Sequence, residues 1–518
     1  MELTSWCIDG SGGLFALLLL PSVMVFLIIA AVVFRGRVFG IVSRPLNLPP
    51  GPRALPIIGH LHLLGRNPHL SLFKLSKKYG DLMFLRLGSV PTLIVSSPSA
   101  ARLVLQTHDQ SFSGRPNPGV PMTLVGCKNI LFSQPGPYWK RARQIFATHL
   151  LRSEGSLSPT FRPLVVEEVR ALVRSIAENS GSFIPVRASL YSATGNIISR
   201  MAVGKRMSEL VSRVDASSNL VSLLLEAIQL AGEFNIGDFI PWLSGMDLQG
   251  CERKAKAIKP KLESLWQEVI DARRAMRKQS EGEDLRTFLD ILLSDAEENP
   301  EITDRHIMAI LTDVFGGGID TSAITVEWAM AELLASPTAM RSIQQEIRDV
   351  LGDSSLVSES DIERLPYLMA TVKETLRLHP PAPLLVPHVV NRPCYLLDYD
   401  VPPNAQAYIN VWAIGRHQNT WEKPLQFCPE RFLTSKFDVR GTHYELLPFG
   451  SGRRICPGML LGLSNVHIML GSLLQAFDWE TMKKPNLTER FGIVMTLEEP
   501  LEAKATLRIP KHILDKTT

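Results

Sequence analysis

The sequence predicts a mainly α-helical protein with small β-sheets, preceded by one N-terminal transmembrane helix. Three observations carry that prediction. Leu14 to Phe34 runs without a single charge. Apolar residues recur at helical spacing through most of the stretch from Ser99 to Arg377. Strand-like runs are short and lie near 82–95, in 380–410 and after Trp479. A chain of 518 residues that is 45% hydrophobic and 20% charged buries a large core, which excludes disorder. No period of 20–50 residues recurs, which excludes a solenoid or propeller.

The elements follow in order. Residues 1–13 form a short lumenal N-terminus. Residues 14–34 span about 31 Å as a helix, close to the roughly 30 Å hydrocarbon core. A cleaved signal peptide is the alternative, but its apolar region is shorter and follows positive charge. Here Glu2 and Asp9 come first, and Arg35, Arg37 and Arg44 follow. The positive-inside rule therefore puts the rest of the chain in the cytosol. Residues 35–52 form a basic, proline-rich hinge, because the prolines of Arg44-Pro45-Leu46-Asn47-Leu48-Pro49-Pro50-Gly51-Pro52 fix φ and remove donors. Residues 53–518 form one α-rich domain.

Within it, Leu82–Leu87 and Thr92–Val95 read as early strands. A helix of about 33 residues runs from about Thr303 to Ala335, long enough to cross the domain. Ser336-Pro337 starts another, Ser as N-cap and Pro in the first turn, ending at Leu351-Gly352. The last helix runs from about Leu460 to Phe477.

Six cysteines with no CxxC pair exclude a disulfide scaffold, a zinc ribbon and a thioredoxin-type site, and point to free thiols in a reducing compartment. Lys plus Arg is 55 against 51 for Asp plus Glu, a net charge of +4. That is too even for a nucleic-acid binder.

The strongest chemical signal is Phe449-Gly450-Ser451-Gly452-Arg453-Arg454-Ile455-Cys456-Pro457-Gly458, which opens the last helix. A thiolate metal ligand needs an exposed sulfur on a turn, glycines that let a flat group approach, and donors that temper its charge. A helix N-terminus supplies N–H groups and a positive dipole end, which lower a thiol pKa. Pro457 has no N–H, so Gly458 and its successors are the donors. Arg454 is placed to neutralise an anionic group.

The pattern of Phe449, Gly452, Arg454, Cys456 and Gly458 resembles the haem-binding signature of the cytochrome P450 superfamily. Glu374-Thr375-Leu376-Arg377 resembles its ExxR motif, and the i, i+3 spacing lets the two charges pair. Pro429-Glu430-Arg431-Phe432 resembles the motif whose arginine, here Arg431, joins that pair. Trp139-Lys140-Arg141-Ala142-Arg143 resembles the WxxxR helix, whose Trp139 and Arg143 would meet the haem propionates. His388 matches a position that contacts a propionate in many relatives; a lone histidine in a proline-rich strand is equally an ordinary surface residue. The resemblance runs from the anchor onward and implies the cytochrome P450 fold, haem b, and Cys456 as axial thiolate to iron.

Gly316-Gly317-Gly318 interrupts the long helix, and Asp320-Thr321 follows. Each glycine costs up to about 1 kcal/mol relative to Ala, tolerable where the backbone must open or be closely approached. Gly317 to Thr321 resembles the family's oxygen-activation motif, with Gly in place of the usual Ala at Gly317 and Ser at Ser322 where Thr is common. Splitting an O–O bond needs protons. Thr321 can hold one by hydrogen bonding and Asp320 can relay one from solvent. Retention of this pair argues for a monooxygenase over a reductase-independent haem-thiolate isomerase or dehydratase, and complete motifs argue against a non-catalytic scaffold.

The chain carries no flavin fingerprint. The resemblance therefore implies electrons from NADPH through a membrane-bound cytochrome P450 reductase, with O2 as cosubstrate and the endoplasmic reticulum membrane as the location. Lys140, Arg141 and Arg152 are candidates for a basic docking face; a solvated face is the alternative. In detail the chain resembles the plant microsomal branch, and Gly237-Asp238-Phe239-Ile240-Pro241 with Asp247-Leu248-Gln249-Gly250 is similar to its flavonoid and phenylpropanoid hydroxylases. The expected pocket walls, Ser113–Gly126, Phe234–Leu243, Thr312–Thr321, Leu384–Pro387 and Phe491–Val494, are mostly apolar. They suit a small hydrophobic or aromatic substrate, a phenolic first, with a terpenoid, alkaloid or fatty acid as alternatives.

Overall fold

The computed structural model describes residues 46–150, 158–210, 220–279, 287–352 and 355–515. The anchor expected at 14–34, the expected hinge as far as Pro45, and Arg152 lie outside the described residues.

The main helices are α1 (Pro68–Tyr79), α2 (Pro137–Leu150), α3 (Arg162–Glu178), α4 (Val186–Val203), α5 (Leu220–Gly232), α6 (Cys251–Gln279), α7 (Phe288–Glu298), α8 (Asp304–Ala335), α9 (Pro337–Leu351), α10 (Pro366–Leu378) and α11 (Met459–Ala476). Local chemistry sets several boundaries. Thr287 and Asp290 form a reciprocal capping box at the start of α7. Pro at the first position opens α1, α9 and α10. Gly352, at φ +60°, ends α9. Ser336 occupies the position before α9 as expected, but its side chain makes no capping hydrogen bond; the fixed φ of Pro337 sets this start.

The helix predicted from about Thr303 to Ala335 is α8, and it is continuous. At about 48 Å it crosses the domain. It packs against α4 on one side and α11 on another. Trp328, Ile324 and Leu333 of α8 and Leu470, Leu473 and Leu474 of α11 are completely or almost completely buried. Both helices are long and apolar enough to cross a membrane, yet most of each is buried against protein, as core helices are.

The strands are β1 (Leu82–Leu87), β2 (Val90–Val95), β3 (Phe183–Pro185), β4 (His388–Val389), β5 (Cys394–Leu396), β6 (Tyr399–Val401), β7 (Gln406–Ile409), β8 (Phe477–Glu480), β9 (Glu489–Arg490), β10 (Thr496–Leu497) and β11 (Glu502–Leu507). One sheet has the order β1-β2-β7-β4, with β2 and β7 parallel and the outer pairs antiparallel. A second sheet is β3-β11-β8, and β5–β6 and β9–β10 are hairpins. The first sheet delivers His388 to the cavity edge, and the β9–β10 hairpin delivers Phe491 to Val494.

The three glycines answer the sequence argument in part. The helix does not open; it is closely approached. A Cβ on Gly318 would lie 2.6 Å from Ile198 of α4, and one on Gly316 would lie 3.2 Å from Ile228 of α5. A Cβ on Gly317 would meet nothing within 4 Å.

Candidate active site

A cavity of about 2020 Å³ lies between α8 and the turn before α11. Gly317, Asp320 and Thr321 line it from α8; Phe449, Arg454, Cys456 and Gly458 line it from the turn.

The turn is built for its shape. Gly450 and Gly452 have φ +71° and +67°, in the left-handed region that favours glycine. A Cβ on Gly452 would sit 2.2 Å from the Leu105 carbonyl oxygen, so no other residue fits. The Cys456 N–H donates to the Phe449 carbonyl at 2.9 Å, and Arg143 donates to the Ile455 carbonyl at 2.8 Å. The Gly458 N–H points at the Cys456 sulfur, as expected. Burial pushes the Cys456 thiol up, while the Gly458 N–H and the Arg143 charge act to lower it.

Beside the turn lies an arginine corner. Arg115, Arg143 and Arg454 all line the cavity, and none forms an ion pair with a carboxylate among the described residues. Arg454 donates to the carbonyls of Ser113 (2.9 Å) and Ser133 (2.7 Å). Arg115 donates to those of Leu131 (3.2 Å), Val386 (2.9 Å) and Pro387 (2.8 Å). Burial, then repulsion from Arg454 and Arg143, lowers Arg115 to about 9; burial, then Arg143, lowers Arg454 to about 10. His388 completes the corner. Its Nδ1 contacts the Phe112 carbonyl at 2.8 Å, and burial with the Arg115 charge holds it neutral, at about 3. Buried cations without anions are costly, and an anionic ligand relieves the cost. A flat macrocycle with two carboxylates and a thiolate-seeking iron fits this donor set.

Trp139 departs from expectation. Its indole N–H donates to the Ile130 carbonyl at 3.2 Å, and the residue does not line the cavity. The ring instead stacks on guanidinium groups, 4.3 Å from Arg454 and 5.3 Å from Arg143. It orients the arginines and makes no direct contact with the cavity.

Glu374 and Arg377 pair through 2.7 Å and 2.8 Å bonds, with Arg377 only 1% exposed. Arg431 joins at 3.0 Å, and the Cys428 N–H at 2.8 Å. Arg377 also donates to the Pro424 carbonyl at 2.7 Å. This triad lies outside the cavity and ties α10 to the segment leading toward the cysteine turn.

On α8, Thr321 Oγ1 donates to the Gly317 carbonyl at 2.7 Å. Burial raises Asp320 to about 6, inside the range useful for proton transfer near neutrality. Of the basic docking residues, Arg141 is engaged: its Nε donates to Asp295 at 2.8 Å. Lys140 is exposed.

Two residues escaped the sequence reading. Arg115 sits in Ser113-Gly114-Arg115-Pro116, an ordinary loop tetrapeptide with no sign of burial. Asp313, on α8, accepts from Asn129 Nδ2 at 2.7 Å and the Leu131 N–H at 3.0 Å. It braces the loop whose Ile130 carbonyl receives both Trp139 and Arg454. Each expected wall stretch contributes residues, but Trp242 is 65% exposed and outside the cavity. The charged residues of these stretches that line the cavity are Arg115, Asp238, Asp313 and Asp320.

The family model "Cytochrome P450" matches residues 49–505. Over 485 residues the chain is 38% identical to a flavonoid 3',5'-hydroxylase of Campanula medium, covering 90% of this chain and 92% of that protein. It is 37% identical to a 3,9-dihydroxypterocarpan 6A-monooxygenase of Glycine max, covering 93% and 97%. It is 38% identical to a geraniol 8-hydroxylase of Catharanthus roseus, covering 89% and 94%. A zebrafish cytochrome P450 solved with progesterone superposes with a TM-score of 0.72 at 27% identity, covering 85% of this chain and 99% of that one.

Proposed function

The chain belongs to the cytochrome P450 family, and on that premise we propose that it hydroxylates a plant phenolic, a flavonoid or phenylpropanoid, using Cys456, Asp320 and Thr321. That it is a haem-thiolate monooxygenase, taking O2 and reductase-supplied electrons, follows from the family and from relatives named as monooxygenases and hydroxylases. A haem held through the Cys456 sulfur would supply the oxygen-activating chemistry.

The protein's own part is positioning and proton delivery. Phe449 and Gly458 shape the turn that presents the sulfur. Arg115, Arg143 and Arg454 would hold the propionates, with Trp139 as the platform beneath them, and His388 would join only if a propionate charge draws a second proton onto its ring. Because His388 Nδ1 faces a carbonyl, it carries the proton, and Nε2 donates to a carboxylate only when the ring is charged. Asp320 takes protons from solvent and passes them toward Thr321. Glu374, Arg377 and Arg431 keep the scaffold in place.

The observation that carries this reading is one cavity holding a thiol, an acid–alcohol pair and an anion-seeking corner. Relatives named for flavonoid hydroxylation support a phenolic substrate, and relatives named for geraniol support the terpenoid alternative. Residues 14–34 support an endoplasmic-reticulum anchor and a membrane-bound NADPH-dependent reductase as partner.

The test is titration of reductase-supplemented microsomes with a flavanone and, separately, with geraniol. Spin-state change and NADPH-dependent product from the flavanone alone support the reading. Product from geraniol alone favours the alternative, and turnover without NADPH overturns the monooxygenase assignment.

A further inference from the structure

The tip of the β9–β10 hairpin, Phe491 to Val494, forms one wall of the cavity. Its ladder has only two residue pairs, Glu489 with Leu497 and Arg490 with Thr496. So short a hairpin does not fix its own tip. The structure fixes it from below.

The Glu489 side chain is only 10% exposed, yet its carboxylate has four partners. It bonds His69 Nε2 at 3.0 Å, Trp412 Nε1 at 3.0 Å and Arg416 Nη2 at 3.5 Å, and lies 3.4 Å from His379 Nδ1 without a hydrogen bond between them. These come from α1, the end of α10 and the turn after β7. Burial acts against the charge, but the histidine contacts and the Arg416 charge outweigh it and hold Glu489 far below the usual carboxylate range. The contacts continue to the tip itself: the His69 ring stacks on Phe491 at 5.6 Å with a 23° interplanar angle, and lies edge-on to Trp412 at 5.4 Å. They also continue to the oxygen-handling helix. His379 bonds Glu332 of α8 at 2.8 Å and stacks on Trp328 at 3.8 Å, and Trp328 donates to the Met495 carbonyl at 3.1 Å.

We propose that Glu489 is a positioning residue for substrate specificity: through His69 and Trp412 it sets the place of Phe491 and the hairpin tip relative to the reacting centre. The inference rests on the reading of this cavity as the haem and substrate pocket. Neutralising Glu489 loosens the tip without touching the cysteine turn.

The experiment compares two probes on the purified full chain by spectral titration. Imidazole is small enough to reach the metal without leaning on the wall; 4-phenylimidazole extends a ring toward it. In Glu489→Gln, 4-phenylimidazole affinity falls about tenfold relative to imidazole, with the reduced carbon-monoxide spectrum unchanged, and Glu489→Asp recovers part of the loss. Should Glu489→Gln lose that spectrum, Trp412→Phe, which removes one donor and keeps a ring over Arg416, decides with the same ratio. A ratio within twofold of the parent in the deciding variant, or a parallel loss of both ligands, overturns the proposal alone. A parent that binds neither azole overturns the pocket reading and this proposal with it.

Discussion

Adjacent glycines on α8 should respond in opposite directions to the same added methyl. The perturbation is Gly317→Ala against Gly318→Ala. Ala is favoured over Gly inside a helix by about 0.5–1 kcal/mol. At Gly317 nothing lies within 4 Å of the new Cβ, so the gain is kept. At Gly318 the Cβ would stand 2.6 Å from Ile198 Cδ1 and 2.9 Å from its Cγ1, and overpacking of that kind costs about 1–3 kcal/mol. The net expectation is stabilisation by about 0.5–1 kcal/mol at Gly317 and destabilisation by up to about 2 kcal/mol at Gly318. For a chain of this size a kilocalorie moves Tm by only about 1 °C, so half-life of the carbon-monoxide-binding form at fixed temperature is the better assay. Activity should separate them too. The Gly317→Ala methyl enters the cavity and should lower kcat/KM for a substrate that fills that wall by about 10-fold or more. Equal half-lives for the two variants, or a Gly318→Ala protein more stable than the parent, would refute the reasoning.

Other expectations follow from the same geometry. Burial raises Asp320 from 3.8 to about 6; a raised carboxyl contributes stability that is complete below pH ~4 and lost as pH rises through about 6. Asp320→Asn should therefore be more stable than the parent at pH 7, by up to about 3 kcal/mol, and indistinguishable from it at pH 4; identical urea midpoints at pH 7 would contradict this. Glu374→Ala leaves buried Arg377 without its partner and should cost about 3–5 kcal/mol, seen as collapse of haem-loaded yield. Lys504→Ala, at the exposed pair with Glu480, should change stability by under about 1 kcal/mol. Arg115→Met removes one charge from the arginine corner and should speed haem transfer to apomyoglobin several-fold, whereas an unchanged transfer rate would remove Arg115 from that role.

What the sequence made legible was whatever is carried by near neighbours along the chain. The i, i+3 spacing of Glu374 and Arg377 placed them on one helical face, and they pair. The glycines around Cys456 announced a turn, and two hold positive φ. The short apolar run Leu82–Leu87 marked a strand. What stayed hidden depends on contacts distant in sequence. Arg115 is defined by carbonyls at Val386 and Pro387, and Glu489 by His69 and His379. Neither has a local pattern. For Trp139 the motif fixed its place in the helix but not the direction of its N–H, which donates to the Ile130 carbonyl. At Cys456 the helix N-terminus was visible in sequence, and the burial that acts against it on the thiol was not.

The most direct test of the central claim is a reduced carbon-monoxide difference spectrum of the full chain in microsomes, beside Cys456→Ala. The account predicts a strongly red-shifted Soret band in the parent and none in the variant. A parent without that band when well expressed and haem-replete, or a variant that keeps it, would contradict the assignment of Cys456 as the thiolate ligand and the roles built around it.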